Sequence, residues 1–273
     1  MADTPTKIDL EAYLKRIEFS GPVAPSIDCL TALHEAHRVH IPFENLDIQL
    51  GRPIRLDLDS VFGKLVGNCR GGYCFEQNAL FAAVLEEIGF QVTRLAARVR
   101  SGTTRVLPRT HMFLSVETGG SSWLADVGFG GLGLLHPIPI VMEKVNQQFA
   151  WKFRIMPEGE LSILQRFMNE AWEDLYAFTR EPQLPADYEL ANYYTSTHPE
   201  SRFVLTTTAQ RATPEAIYIL RNREFITMRG EQEETIVIDD DEELLRILRE
   251  KIGLSFPPGT RFRSLMQTAA GIA

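Results

Sequence analysis

The chain is poor in cysteine: three among 273 residues, at positions 29, 69 and 74. An odd, sparse set excludes the disulfide framework of a small secreted protein and fits a reducing compartment, where a thiol stays available as a nucleophile. Long apolar runs are missing as well. No stretch approaches the roughly 20 residues that a membrane-spanning helix needs, and residues 1–14 contain no apolar segment of a secretory signal. A cytoplasmic protein without a membrane partner is expected. The chain also lacks a basic excess: Lys plus Arg number 28 against 36 for Asp plus Glu, a formal charge of −8. No general attraction draws such a chain to nucleic acid or anionic lipid, although a local basic site for a phosphorylated ligand is compatible with it. Repeats, low-complexity tracts and a long linker are absent. What is there is a globular balance, 44% hydrophobic and 23% charged, long enough to bury a substantial core.

The first third has helical spacing. Leu10, Tyr13, Leu14 and Ile17 recur behind a capping Asp9. A second helix is expected over about 26–39, stopped by Pro42, and Val61, Phe62 and Leu65 mark a third. A fourth runs from near Cys74 to Ile88, with Leu80, Val84 and Ile88 as its stripe, Phe81 and Leu85 widening it, and Gly89 ending it. From about residue 91 short strands are expected, at 92–100, 111–117, 122–127 and 149–156. Helical texture returns over 185–194. Strands follow at 202–209, 216–220, 224–229 and 235–238, then a helix over about 241–252. The acidic run 239–243 reads as that helix's solvated N-terminus, balanced by Arg246, Arg249 and Lys251 toward its end.

The segment Arg70-Gly-Gly-Tyr-Cys-Phe-Glu-Gln-Asn78 carries the first chemical signal. Two glycines permit a tight approach, and an apolar-striped helix follows. Cys74 therefore sits at a helix N-terminus, where unpaired N–H groups favour a thiolate and can stabilise an oxyanion. A lone cysteine there is more often a small buried residue, so the reading depends on a base within reach. Segments 110–117 and 122–127 alternate like strands around Thr118-Gly-Gly-Ser121. A two-residue Gly119-Gly120 turn pairs residues whose numbers sum to 239. Asp126 then opposes Phe113, and His111 and Asp126 become diagonal neighbours on one face. A carboxylate beside an imidazole fixes its tautomer and supports its charge. Singly, His111 also reads as an ordinary strand histidine and Asp126 as a turn residue. A zinc set of Cys69, Cys74, His111 and Asp126 is disfavoured by its spacing. The glycines of Asp126-Val-Gly-Phe-Gly-Gly131 allow a ligand close to the backbone, and a tight turn explains them about as well. His34, His37, His40, His136 and His198 lack a comparable carboxylate-bearing context. His34 and His37, at i and i+3, read as a solvated helix face. Glu44, Arg70 and Glu76 are candidates for an ion-pair network bracing the loop, provided that they are buried.

Taken together these motifs resemble the arylamine N-acetyltransferase family. The resemblance covers essentially the whole chain. It rests on the Arg70–Asn78 segment, His111 and Asp126-Val-Gly-Phe-Gly130, with Ile41-Pro-Phe-Glu-Asn45 and Ser196-Thr-His-Pro-Glu-Ser-Arg-Phe203 in support. It implies an α+β fold: an N-terminal helical bundle (1–90) carrying the nucleophile, a central antiparallel β-barrel (91–195) carrying His and Asp, and a C-terminal α/β lid (196–273). Bundle and barrel together resemble the cysteine-protease and transglutaminase core. The resemblance further implies a Cys74-His111-Asp126 triad, an acceptor pocket lined by Phe43, Phe129 and Phe203, and a close passage of CoA at Gly130. Acetyl-CoA is the implied donor, with no metal, and an aromatic amine or hydrazine the implied acceptor, extending to the oxygen of arylhydroxylamines. The rival readings are a cysteine hydrolase or transglutaminase-like amidase on the same triad, and a non-catalytic zinc-stabilised module.

Overall fold

Local capping signals start the helices. The computed structural model describes residues 8–103 and 105–269. Helix α1 (Leu10–Arg16) opens at Asp9, whose carboxylate accepts from the Ala12 N–H, and α2 (Ile27–His40) opens at Ser26 in the same way. Strand β1 (Phe43–Glu44) and the short helices α3 (Leu46–Gln49) and α4 (Leu58–Phe62) follow, α4 continuing as a π-helical turn over Gly63–Gly67. Helix α5 (Cys74–Ile88) ends at Gly89, whose φ of +103° is a left-handed cap that glycine adopts without a Cβ clash.

Eight strands come next: β2 (Gln91–Val99), β3 (His111–Thr118), β4 (Ser121–Ala125), β5 (Ile138–Pro139), β6 (Asn146–Gln148), β7 (Trp151–Glu158), β8 (Leu161–Met168) and β9 (Ala171–Phe178). They form one antiparallel sheet in the order β5-β4-β3-β2-β9-β8-β7-β6. The sheet curls into a nearly closed barrel. Beyond β5, Met142 bridges Ile155 of β7, and the Glu143 N–H donates to the Ile155 carbonyl. Sequence reading assigns no strand to β8 or β9. Gln165, Arg166 and Asp174 interrupt the apolar pattern there, and a register shift between Leu164 and Gln165 breaks the alternation.

The β3–β4 hairpin has the expected register, from Thr118 opposite Ser121 to Leu114 opposite Ala125. Gly119 and Gly120 turn at φ of +60° and +73°. The ladder stops there, so the strand expected to reach residue 127 ends at Ala125, and neither the Phe113–Asp126 nor the His111–Gly128 pair belongs to it. The Asp126 N–H turns instead to the His34 ring.

The remaining chain forms α6 (Pro185–Thr197), α7 (Arg202–Leu205), β10 (Thr208–Ala212), β11 (Ile217–Arg221), β12 (Glu224–Arg229), β13 (Gln232–Val237), α8 (Asp241–Ile247) and α9 (Arg263–Ala269). A second sheet runs β1-β10-β11-β12-β13, so the strand beside Phe43 belongs to the C-terminal layer. The strand expected over 202–209 is α7 followed by β10. Ser201 caps that turn by accepting from the Phe203 N–H. The helix expected to reach 252 is α8 plus a π-helical turn, Leu248–Ile252, ended by Gly253 at φ +88°. The architecture is α+β: helices, barrel, then α/β layer.

Strand β3 is buried on both faces. Met112, Leu114 and Val116 join the core of α2 and α5, while Phe113 joins the barrel interior with Phe153, Tyr176 and Phe178. Burying each such side chain contributes about 1.5–3 kcal/mol, which fixes the barrel on α5 and brings His111 to the helix end. Among the described residues no helix is long and apolar enough to cross a membrane.

Candidate active site

Cys74 is the first residue of α5. The first helical hydrogen bond runs from the Gln77 N–H to the Tyr73 carbonyl, so the preceding amides have no acceptor within the helix. Glu76 turns back and accepts from the Tyr73 N–H at 3.1 Å, which fixes the loop. Gly71 and Gly72 are required by crowding. A Cβ on Gly71 would sit 2.1 Å from the Pro42 carbonyl oxygen, and one on Gly72 would sit 2.8 Å from a Glu76 carboxylate oxygen. The Cys74 side chain is buried, with Sγ 3.5 Å from the Thr110 carbonyl.

His111 Nε2 lies 2.7 Å from Asp126 Oδ2, with both side chains buried. Burial favours neutral imidazole, but the charge of Asp126 and its hydrogen bond, reinforced by Cys74, outweigh it and raise the His111 pKa to about 10. Burial likewise pushes the Asp126 carboxyl up. His111, Asn78 and the Gly128 N–H more than offset it, and the pKa lies below the usual carboxylate range. A protonated imidazole at neutral pH is the counter-ion that a thiolate at Cys74 needs.

Asp126 is held from several sides. Its Oδ1 accepts from Gly128 N at 2.9 Å and Asn78 Nδ2 at 3.1 Å. Asn78 also donates to the Met112 carbonyl and accepts from Val127 N, tying α5, β3 and the glycine loop together. Asn78 closes the Arg70–Asn78 motif, which by itself assigns it no role. Its spacing of four from Cys74, which puts both on one helix face, was the available signal. A Cβ on Gly128 would lie 2.6 Å from Asn78 Nδ2 and 2.7 Å from the Cys74 Cα, so this glycine is needed for the loop to rest on the helix end.

The expectation of a solvated His34–His37 face is wrong. Both rings are fully buried. His34 Nδ1 bonds the Leu135 carbonyl at 2.8 Å, and Nε2 accepts the Asp126 N–H at 3.0 Å. These partners require the neutral tautomer protonated on Nδ1. Burial lowers the His34 pKa to about 3, outweighing the Leu135 bond. His37 meets the Tyr13 hydroxyl at 2.8 Å. His136 also departs from expectation, pairing with the Glu35 carboxylate. Arg38, one turn beyond His34, donates to the carbonyls of Val127, Gly130 and Leu134. The inner face of α2 thus clamps the glycine loop. Helical periodicity alone does not reveal that the barrel covers this face.

Glu44, Arg70 and Glu76 do form a network, and it is buried. Arg70 grips Glu44 at 2.6 and 3.0 Å and lies over the Phe256 ring. Lys64 bonds Glu76 at 2.7 Å and Asp47 at 2.9 Å. Burial raises the Glu76 pKa despite Lys64. The Arg70 side chain is only 12% exposed, which meets the condition set by sequence reading.

A cavity of about 560 Å³ opens beside these groups. Cys74, His111, Phe43, Phe129 and Phe203 line it. Phe129 meets His111 edge-on at 5.1 Å, and Phe43 and Phe203 lie 6.0 Å apart. Gly128 lines the cavity, whereas Gly130 faces Gln210, which accepts the Gly131 N–H at 2.6 Å. Cys69 lies apart, its Sγ directed at the Val66 carbonyl. Among the described residues no group of three or more His, Cys, Asp or Glu side chains is arranged to hold a metal ion.

A family model described as N-acetyltransferase matches residues 26–260. An arylamine N-acetyltransferase of Mycolicibacterium smegmatis is 39% identical over 253 residues, 90% of this chain and 92% of that protein. The chain belongs to the arylamine N-acetyltransferase family. Solved structures of the family share its fold. The arylamine N-acetyltransferase structure from M. smegmatis superposes with a TM-score of 0.89 at 37% identity, covering 96% of this chain and 98% of that one. The Mycobacterium marinum enzyme in complex with CoA gives 0.85 at 33% identity, covering 90% and 92%. Within this family fold, a helix bearing a cysteine at its N-terminus packs on an antiparallel barrel, the core arrangement of cysteine proteases.

Proposed function

We propose that the chain transfers an acetyl group from acetyl-CoA to the nitrogen of an arylamine or arylhydrazine by double displacement through acetyl-Cys74. The observation that carries this reading is the buried Cys74-His111-Asp126 constellation opening on a phenylalanine-lined cavity. Family membership supports the reaction class, and a CoA complex of a family member supports the donor.

The Cys74 thiolate attacks the thioester carbon, and amides at the start of α5 receive the oxyanion. The carbon–sulfur bond to CoA breaks, and CoA leaves with the proton of His111. The amine then attacks the acetyl-cysteine carbonyl, neutral His111 takes its proton, and the Cys74 thiolate is restored. Asp126 stabilises the imidazolium at both ends of the cycle. An aromatic amine is largely unprotonated near neutral pH, and Phe43, Phe129 and Phe203 offer its ring an apolar slot. The oxygen of an arylhydroxylamine accepts acetyl by the same route. We assign nucleophile, base and cover to 1–90, 91–195 and 196–273, and the donor's passage to the backbone near Gly130.

The test is intact mass after mixing the protein with acetyl-CoA alone. One acetyl group on Cys74, released as an amide by an aromatic amine, is expected, and Cys74→Ala is expected to abolish transfer while keeping the fold. A reactive thiol with no adduct overturns the proposal and favours a hydrolase or another donor.

A further inference from the structure

Fifteen other residues and two arginines complete the lining of the cavity at Cys74, and the charges among them are one-sided. Aspartate and glutamate are absent from that lining among the described residues, although acids outnumber bases by 36 to 28 in the chain. Arg202 and Arg221 supply its permanent charge. Most arginines near the site are engaged: Arg38 by carbonyls, Arg70 by Glu44. Arg202 and Arg221 have neither an ion pair nor a side-chain hydrogen bond among the described residues, yet they lie close enough for the charge of Arg221, after burial, to lower the pKa of Arg202. Both side chains are exposed at the rim of the cavity, where water screens their charges and leaves the guanidinium donors open to an anion.

Their backbones are well supported. Arg202 begins α7, where Asn45 donates to the Phe203 and Thr206 carbonyls and Gln49 to those of Phe203 and Val204. Arg221 ends β11 opposite Thr208, whose N–H donates to Asn45. Thr208 and Gln210 bring further polar groups to the same wall. Apolar rings beside Cys74 and unpaired cations elsewhere on the lining suit a ligand with an acyl group at one end and phosphates at the other.

We propose that Arg202 and Arg221 form the seat for the phosphates of the acyl-CoA donor. This rests on the acetyl-CoA reading above. Guanidinium groups bind phosphate through paired, charge-assisted hydrogen bonds.

The experiment compares acetyl-CoA with 4-nitrophenyl acetate, an activated acetyl donor that has no phosphate. Loss of both contacts in Arg202→Gln/Arg221→Gln is expected to raise the KM for acetyl-CoA about tenfold or more and to flatten its dependence on salt. Kinetics with 4-nitrophenyl acetate are expected to change far less, and Arg202→Lys/Arg221→Lys to recover much of the affinity. An unchanged KM for acetyl-CoA in the double glutamine variant overturns the seat. A loss of equal size with both donors also overturns it, because it indicates general damage to the site. With wild-type protein, 3′-dephospho-acetyl-CoA separates the two phosphate sources: a matching rise in KM supports a seat for the 3′-phosphate, and no rise supports one for the pyrophosphate. If neither donor acetylates Cys74 in the wild type, it is the proposed function that fails.

Discussion

Asp126 meets three side-chain or backbone donors at its carboxylate, and a fourth partner, His34, takes its own N–H. Asp126→Asn removes the charge that keeps His111 protonated, so burial then dominates and the imidazole pKa falls below its ordinary value. NMR titration of the ring is expected to show that fall from about 10. Alkylation of Cys74 by iodoacetamide is expected to slow about tenfold or more at neutral pH; an unchanged rate removes Asp126 from this role. His34 supports Asp126 by accepting its N–H, and is itself held by the bond it donates to the Leu135 carbonyl. His34→Leu strands the Asp126 N–H and the Leu135 carbonyl, at about 1–3 kcal/mol each. His34→Gln retains a donor and an acceptor. Urea unfolding is expected to rank wild type above the glutamine variant and both above the leucine variant. Equal losses in the two variants rule out the hydrogen bonds as the cause.

At the scale of elements, the site is a junction of a helix end, a hairpin and a loop. The hairpin's register was readable from Thr118–Ser121 to Leu114–Ala125 because a Gly-Gly turn of fixed length sets the pairing of the strands it joins, but where the ladder ends was not. The helix start at Cys74 was readable because glycines precede an apolar stripe. The loop was not: its glycines mark close approach, but the sequence does not say to what. Gly128 approaches the Cys74 backbone and Asn78. Gly128→Ala pushes a methyl group into both, and overpacking of this kind costs about 1–3 kcal/mol. A lower thermal midpoint together with slower Cys74 alkylation is expected. A variant that loses stability but keeps the alkylation rate shows that the loop's seat and the thiol's reactivity are separate. The strand expected over 202–209 failed for a related reason. Ser201 caps a turn there, and Asn45 and Gln49 hold its carbonyls from more than 150 residues away in sequence.

Across the whole molecule, buried histidines set the pH range of stability. His34, at about 3, and His37, also shifted down by burial, stay neutral in the fold but bind protons below pH 6.5 once unfolded. Their contribution is complete above pH 6.5 and is lost as the pH falls, by about 1.4 kcal/mol per pH unit for each. His111 acts in the opposite direction. Its contribution is complete below pH 6.5 and is lost as the pH rises through about 10. Denaturation midpoints are expected to rise from pH 8 to about 6.5, as His111 gains its contribution, and to fall from 6.5 to 5, and His34→Gln is expected to reduce that fall by one histidine's share. An unchanged fall removes His34 from this account. The sequence by itself determined the helix that begins at Cys74, the hairpin register from Thr118–Ser121 to Leu114–Ala125, and the family, because each rests on spacing and turn chemistry over a few neighbouring residues. Only the tertiary structure decided that α2 faces the barrel, that His34 and Arg38 clamp the glycine loop, and that Arg202 and Arg221 share the cavity of Cys74. Those relations join residues about 90 or more positions apart, and which polar side chains are buried together is settled by packing between layers, which no local pattern encodes.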